Sequence, residues 1–371
     1  MIETGVIFFL TTLFGGAFFY LILCVDPNNP GPLGKIHRFI YKYIPDLCSK
    51  IIGGENSRIS RICGGFFDYL CYKNHPLVQF FYILVAPGGF ALYWWVGLSV
   101  HFDKNPEISY IHKYIAFFFS MFAFYTYYKV CKVGPGEITN YNVKSYVKKF
   151  EHRYDGVLFQ KKNECTTCKL EKPARSKHCT VCNMCVSKFD HHCIWIRQCV
   201  GEKNYKHFLT FIITHSLLCI YGVYIGLFCF YGIIKQQNLF NAKFRSPNGD
   251  IVEASYTIIF KYIFYTETLF VFMIILCGIM GFTLFLFYLY HLTLVKGQYT
   301  TNEKIKRSDA MHQIKDRIDE IKEIIKDESV EQKDKEDLIA KLEKLVNQYD
   351  KLKEWYPRKS LYQSLKEVYS Y

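Results

Sequence analysis

The stretch CTTCKLEKPARSKHCTVCNMCVSKFDHHCIWIRQCVGEKNY, Cys165 to Tyr205, carries seven of the chain's 15 cysteines and three of its 12 histidines. Cys165 and Cys168 make one C-x-x-C, Cys179 and Cys182 another, and Cys182 with Cys185 a third that overlaps it. Tight C-x-x-C turns present two thiolates to one ion, and a structural zinc takes four Cys or His ligands in a tetrahedron. In a reducing, cytosolic loop such crowding points to metal rather than to disulfides. The seven cysteines and three histidines fill two Cys3His sites and leave one of each over. Only Asp190-His191-His192-Cys193 sets a spare cysteine beside a spare histidine that a carboxylate can orient, which is a nucleophile, base and orienter set. Spacing alone does not say which histidine is spare.

Outside this loop the chain is apolar. Half of its 371 residues are hydrophobic and 18% are aromatic, which points to a bilayer as solvent rather than to an ordinary soluble domain. A spanning helix needs about 20 mostly apolar residues. Five windows qualify: residues 5–25, 77–100, 110–130, 208–234 and one inside 263–295. The expected fold class is therefore an all-α polytopic membrane protein of about five spans with a small two-zinc domain at 160–207. Lys35, Arg38 and Lys42 follow the first window and nothing basic precedes it, so the positive-inside rule puts its amino end away from the cytosol. Threading from there places the 26–76 loop, the cysteine loop and the tail 296–371 in the cytosol.

The charges agree with that threading. Residues 131–207 carry 15 Lys plus Arg against 7 Asp plus Glu, so much of the net +13 lies on one side. Topology and attraction to anionic headgroups account for this excess, and no nucleic-acid motif accompanies it. Past the last window the sequence turns charged, with Ile314, Ile318, Ile321 and Ile325 at helical spacing, then Leu338, Leu342, Leu345, Tyr349 and Leu352. Two amphipathic stripes separated by DESVEQKD predict an antiparallel helical hairpin.

The chemistry available to the loop is specific. A thiolate attacks a thioester readily, imidazole takes the thiol proton, and a carboxylate fixes the imidazole tautomer. A purely structural RING-type zinc module would end in a further C-x-x-C, but here Cys193 and Cys199 are C-x5-C. A transporter reading rests only on the spans and on Glu267 at the edge of the last one.

The pattern C-x2-C-x9-H-C-x2-C-x2-C-x4-D-H-H-C-x5-C-x4-N closely resembles the cysteine-rich domain of the DHHC protein S-acyltransferases, the palmitoyltransferases. Thr300, Thr301 and Glu303 look like that family's TTxE motif, so the resemblance covers about Tyr110 to Glu303. It implies that Cys193 is the acyl-accepting nucleophile, His191 its base and Asp190 the group that orients His191. It also implies interleaved zinc sets, Cys165, Cys168, His178 and Cys185 for one ion and Cys179, Cys182, His192 and Cys199 for the other. Acyl-CoA, typically palmitoyl-CoA, would be the cosubstrate, with Lys172, Lys177 and Arg175 as candidate phosphate contacts. The acceptors would be cytosolic juxtamembrane cysteines of membrane proteins. Ile194 stands where the family usually has Pro, Gln198 where Asn is usual before the last ligand, and Ser364 where Asn is usual in the tail. Ile194 with TTNE looks like the spore-wall-formation branch, which implies the endoplasmic reticulum and SNARE substrates.

Overall fold

The computed structural model describes residues 75–102, 109–245, 249–326, 331–353 and 359–370, with isolated positions at 35, 39, 69 and 73. The span expected at 5–25 and nearly all of the 26–76 loop lie outside them. The described chain is mostly helical and divides into two compact units, one drawn from residues 1–128 and 210–288, the other from 129–209 and 289–371.

The first unit is built from long apolar helices. α1 (Leu77–Tyr93) continues as a wider π-helical segment, Trp94–Phe102; α2 is Ile111–Lys132, α4 is Tyr205–Gln236 and α6 is Thr268–Lys296. Three of these are long and apolar enough to cross a membrane, at Leu77–Leu98, Tyr205–Gln236 and Thr268–Lys296. α2, in the place of the span expected at 110–130, is not among them, because Tyr114, Tyr125, Tyr127, Tyr128, His112 and Lys113 dilute its phenylalanines. The last apolar helix starts at Thr268 because Glu267 ends a separate short helix, α5 (Tyr256–Thr266), so that the apolar run from 263 is split by this acid.

Packing in this unit centres on Tyr93, Leu98, Ile225, Cys229, Phe270 and Ile274. Gly226 permits it: a Cβ there would stand 2.4 Å from Ile274 Cδ1. Phe80, Leu84, Phe118, Leu227 and Phe282 remain exposed. So many large apolar side chains facing outward is a surface that hydrocarbon solvates and water does not. Polar groups within the helices are paired, as hydrocarbon requires: Tyr82 Oη lies 2.6 Å from His215 Nε2, and Ser216 Oγ donates to Gly281 O at 2.8 Å.

The second unit holds the cysteine loop and the tail. Its strands are three residues or fewer: β1 (Glu137–Ile138), β2 (Lys177–Cys179), β3 (Met184–Val186), β4 (His191–Cys193) and β5 (Gln198–Val200). α3 (Val143–Lys149) follows β1. β1, β3 and β2 form one antiparallel sheet in that order, and β4 and β5 form a separate hairpin. Large hydrophobes are few, and the buried set around Ile138, Tyr146, Phe150 and Phe159 includes Cys165 and Cys185 themselves. A core this small needs another source of stability.

In the tail, α7 (Thr301–Lys326) and α8 (Gln332–Lys353) pack antiparallel. Ile314 and Ile318 bury against Leu352, with Leu342, Leu345 and Tyr349 alongside. Arg307, near the start of α7, donates to the carbonyls of Leu352 and Lys353 at the end of α8, which closes the open end of the hairpin. A short helix, α9 (Leu361–Tyr369), follows, opened by a capping box in which Ser360 and Gln363 satisfy each other's backbone N–H groups.

Candidate active site and metal centres

Each metal-binding set is assembled by the same device. Cys165 and Cys168 face His178 and Cys185, which are direct cross-strand partners on β2 and β3. Cys179 and Cys182 face His192 and Cys199, direct partners on β4 and β5. In both sets the four ligand atoms lie within 4.8 Å of one another. One C-x-x-C turn plus one His–Cys strand pair supplies three thiolates and an imidazole, the donor set and count that a structural zinc takes. Both clusters suit zinc. Each set gathers ligands far apart in sequence around one point and so ties the turns and strands together.

Strand alternation explains the interleaving. Successive residues of a strand point to opposite faces. His178 and Cys179 are neighbours on β2, so they serve different clusters; His191 and His192 are neighbours on β4, so only one can join Cys199. That one is His192, whose Nδ1 lies 3.3 Å from Cys182 Sγ and 3.7 Å from Cys199 Sγ. His191 and Cys193, two apart, share the opposite face, where each shifts the pKa of the other.

The hairpin carrying Cys193 repeats the local backbone of the metal-binding turns. Lys169 and Asn183, each just after the second cysteine of a C-x-x-C, hold left-handed φ of 54° and 52°, and Arg197 holds 55° at the matching place after Cys193-Ile-Trp-Ile. In the metal turns the backbone N–H of Cys168 reaches Cys165 Sγ and that of Cys182 reaches Cys179 Sγ. The backbone N–H groups of Ile196 and Trp195 act to lower the pKa of Cys193. Its turn has the backbone of the two metal turns, with buried Ile196 in the place of the second ligand. Gly201 lets the hairpin close on its neighbours, since a Cβ would meet Pro135 O at 2.6 Å.

Asp190 is 1% exposed and fully engaged. Its Oδ2 accepts from His191 Nδ1 at 2.7 Å and from Thr301 Oγ1 at 2.9 Å, and its Oδ1 accepts from the Thr301 N–H at 2.8 Å. Burial would raise its pKa, yet the bonds from His191 and Thr301 hold it below the usual carboxylate value. Burial would lower that of His191, but Asp190 and then Cys193 raise it to about 10. Burial would raise the Cys193 thiol, and His191 followed by the two amides brings it below the ordinary thiol value. The three shifts point the same way, each favouring the charged form of its group, as a carboxylate, an imidazolium and a thiolate in line would require.

The segment 300–303 is what locks this line. Thr300 Oγ1 accepts the Glu303 N–H and Glu303 Oε2 accepts the Thr300 N–H, a capping box that starts α7. Glu303 also takes a bidentate pair of bonds from Arg175, at 2.5 and 2.6 Å, with both side chains buried. Glu303→Gln leaves a buried guanidinium without its countercharge, and a loss of about 3–5 kcal/mol is expected in chemical denaturation of the purified protein. Arg175, one of the candidate phosphate contacts, is thus occupied by Glu303 and the Gln298 carbonyl.

Lys172 and Lys177 line a cavity of about 300 Å³ together with Lys306, a residue the sequence reading missed. Burial lowers the pKa of Lys306, and Lys177 and Lys172 lower it further, so three cations crowd one space. Also missed were Tyr205 and His291, whose side chains bond at 3.0 Å. The His291 ring lies 6.3 Å from that of His191, with Phe208 edge-on to both. A histidine inside an apolar window was the available signal. Gln198, opposite Cys193 on β5, sends its amide to the carbonyls of Val130 and Val133 at the end of α2.

A family model described as DHHC palmitoyltransferase matches residues 158–308. Among curated proteins, palmitoyltransferase swf1 of Schizosaccharomyces pombe is 32% identical over 77% of this chain and 74% of its own length. Palmitoyltransferase swf1 of Emericella nidulans is 33% identical over 55% of this chain, which spans 47% of that relative. Palmitoyltransferase SWF1 of Candida albicans is 52% identical over 27% of this chain and 26% of its own length.

Proposed function

The chain belongs to the DHHC palmitoyltransferase family, in the branch of the swf1 proteins, and from this we propose that it moves a long-chain acyl group from acyl-CoA to protein cysteines by way of Cys193. The observation that carries the reading is the Asp190–His191–Cys193 line on the face of β4 opposite the zinc ligand His192.

In the first step the Cys193 thiolate attacks the thioester carbonyl carbon. The carbonyl–sulfur bond breaks, the acyl group stays on Cys193, and the CoA thiolate takes the proton held by His191. In the second step a substrate thiol gives its proton to His191, attacks the Cys193 thioester and leaves acylated, returning the thiolate–imidazolium pair. Asp190 keeps His191 with Nδ1 toward the carboxylate and Nε2 toward the sulfur. Bound zinc supplies rigidity to the strands and takes no part in these bonds.

An acyl chain gains roughly 0.8 kcal/mol per buried CH2 by staying in hydrocarbon, so a cysteine that serves such chains works at the membrane surface. Lys172, Lys177 and Lys306 are the cations we assign to the CoA phosphates, with Arg175 as a strut bound to Glu303 rather than a phosphate contact. The basic excess of residues 131–207 supports a cytosolic zinc domain and tail, with the α2 region as a further span beside the one at 5–25. Membership of the swf1 branch supports the endoplasmic reticulum as the compartment and juxtamembrane cysteines of SNARE-type proteins as acceptors.

Purified protein incubated with acyl-CoAs of graded length should release CoA in a burst of one equivalent per chain, then slowly. The absence of a burst with every chain length would defeat the reading. Thr301→Val removes one hydrogen bond to the ionised Asp190; at about 1.5–3 kcal/mol for such a bond, the acylation rate should fall about ten- to a hundredfold with zinc content unchanged.

A further inference from the structure

A second cavity, of about 130 Å³, lies in the same unit; Arg175 and Thr300 border it, but no group that the steps above use as nucleophile or base does. Arg153, Arg175, Lys188, Gln298 and Ser364 line it, so the zinc domain, the segment before α7 and the helix α9 all contribute. The donors outnumber the acceptors. Gln298 Oε1 accepts from Arg153 Nη2, which leaves its amide Nε2 buried with no partner. Ser364 is 3% exposed and its Oγ is also unpartnered. Lys188 makes no ion pair among the described residues; burial, then the charge of Arg175, lowers its pKa to about 8. Two carboxylates reach the same space, but Glu202 is taken by Lys149 and Ser187, and Glu367 by Lys359.

Buried donors left without acceptors are costly, and natural structures fill such places with water or an ion. Water answers the two orphan groups but not the surplus positive charge. An apolar cavity of about 150 Å³ admits benzene, a molecule of six heavy atoms, so this one has room for a five-atom tetrahedral oxyanion.

We propose that the cavity binds a phosphate group, held by Lys188 and Arg153 with Gln298 Nε2 and Ser364 Oγ, and that the bound group fastens α9 to the zinc domain. Free phosphate and the phosphomonoester headgroup of a membrane lipid share this chemistry, and the cavity accommodates the phosphate rather than a ring attached to it. Neither source depends on Cys193, so the site is independent of the proposed acyl transfer.

Hydrogen exchange of residues 361–369 tests the idea, in full-length zinc-loaded protein in phosphatidylcholine nanodiscs without any acyl donor. One arm adds inorganic phosphate against chloride at equal ionic strength. The other replaces part of the lipid with phosphatidylinositol 4-phosphate. Phosphate at ten times its dissociation constant should slow the ligand-releasing opening of α9 about tenfold and then saturate; slowing in the lipid arm alone identifies the headgroup as the source. Ser364→Ala and Lys188→Gln should each weaken the response, and if Lys188→Gln fails to retain zinc, Ser364→Ala with Arg153→Gln decides. No saturable protection in either arm, or protection that both decisive variants keep, overturns the proposal and leaves water or an adventitious ion only.

Discussion

Cys193→Ser protein should bind two zinc ions per chain, fold like the wild type and form no hydroxylamine-sensitive acyl adduct. Cys193 is absent from both four-residue metal sets, so its loss takes nothing from either ion. Serine keeps the size and a hydrogen bond to His191, but its hydroxyl is a far weaker acid than a thiol and does not sit as an anion beside the imidazolium. Removing the nucleophile of a coupled catalytic set costs about 10⁶-fold in a well-studied serine enzyme. A loss of at least about 10⁴-fold in CoA release is expected here, on the ground that the remaining groups only bind and polarise the thioester. Zinc quantified by mass spectrometry beside acyl-CoA turnover checks both halves. Retained turnover would remove Cys193 from the mechanism, and lost zinc would make it a ligand.

The twin histidines should part company when each is changed. His191→Ala keeps both zinc ions and loses acylation, because the pair with Cys193 disappears while the ligand face of β4 stays intact. His192→Ala opens the second cluster and should lose its ion together with the fold of the β4–β5 hairpin. A structural zinc contributes about 10–16 kcal/mol in small peptides, as much as the roughly 5–15 kcal/mol by which whole domains are stable. The unit has little apolar core to compensate. Activity of His192→Ala should therefore fall as far as that of Cys193→Ser, but with increased hydrogen exchange across residues 177–200 and one zinc per chain instead of two. Equal zinc content in the two histidine variants would contradict the division of roles.

How much of this was legible beforehand differs from element to element. The tail hairpin could be read because amphipathic periodicity is a local signal: Ile314, Ile318 and Leu352 are spaced for burial and are buried. The apolar windows 208–234 and 263–295 were legible because run length is also a local signal, and helices 205–236 and 268–296 stand there, although the break at Glu267 was not placed, since one acid in a long apolar run does not announce a helix end. Lys306 was overlooked because nothing beside it in the chain marks it, and His291 although its place in an apolar window was a signal; both matter through neighbours that folding supplies, Lys172 and Lys177 for one and Tyr205 for the other. The buried pairing of Arg175 with Glu303 joins positions 128 residues apart, beyond any local pattern. Arg175 in isolation looks like any other exposed basic residue of a charged loop.

The chain's own order of residues determined that there would be two clusters of four ligands, one thiol in excess, and apolar helices before and after them in the chain, because ligand count and hydrophobic run length are properties of the string. It left open which of His191 and His192 was the spare. That was decided by the β4–β5 pairing: side chains on a strand alternate, so once Cys199 sits opposite His192, the residue before it must turn toward Cys193 and Asp190.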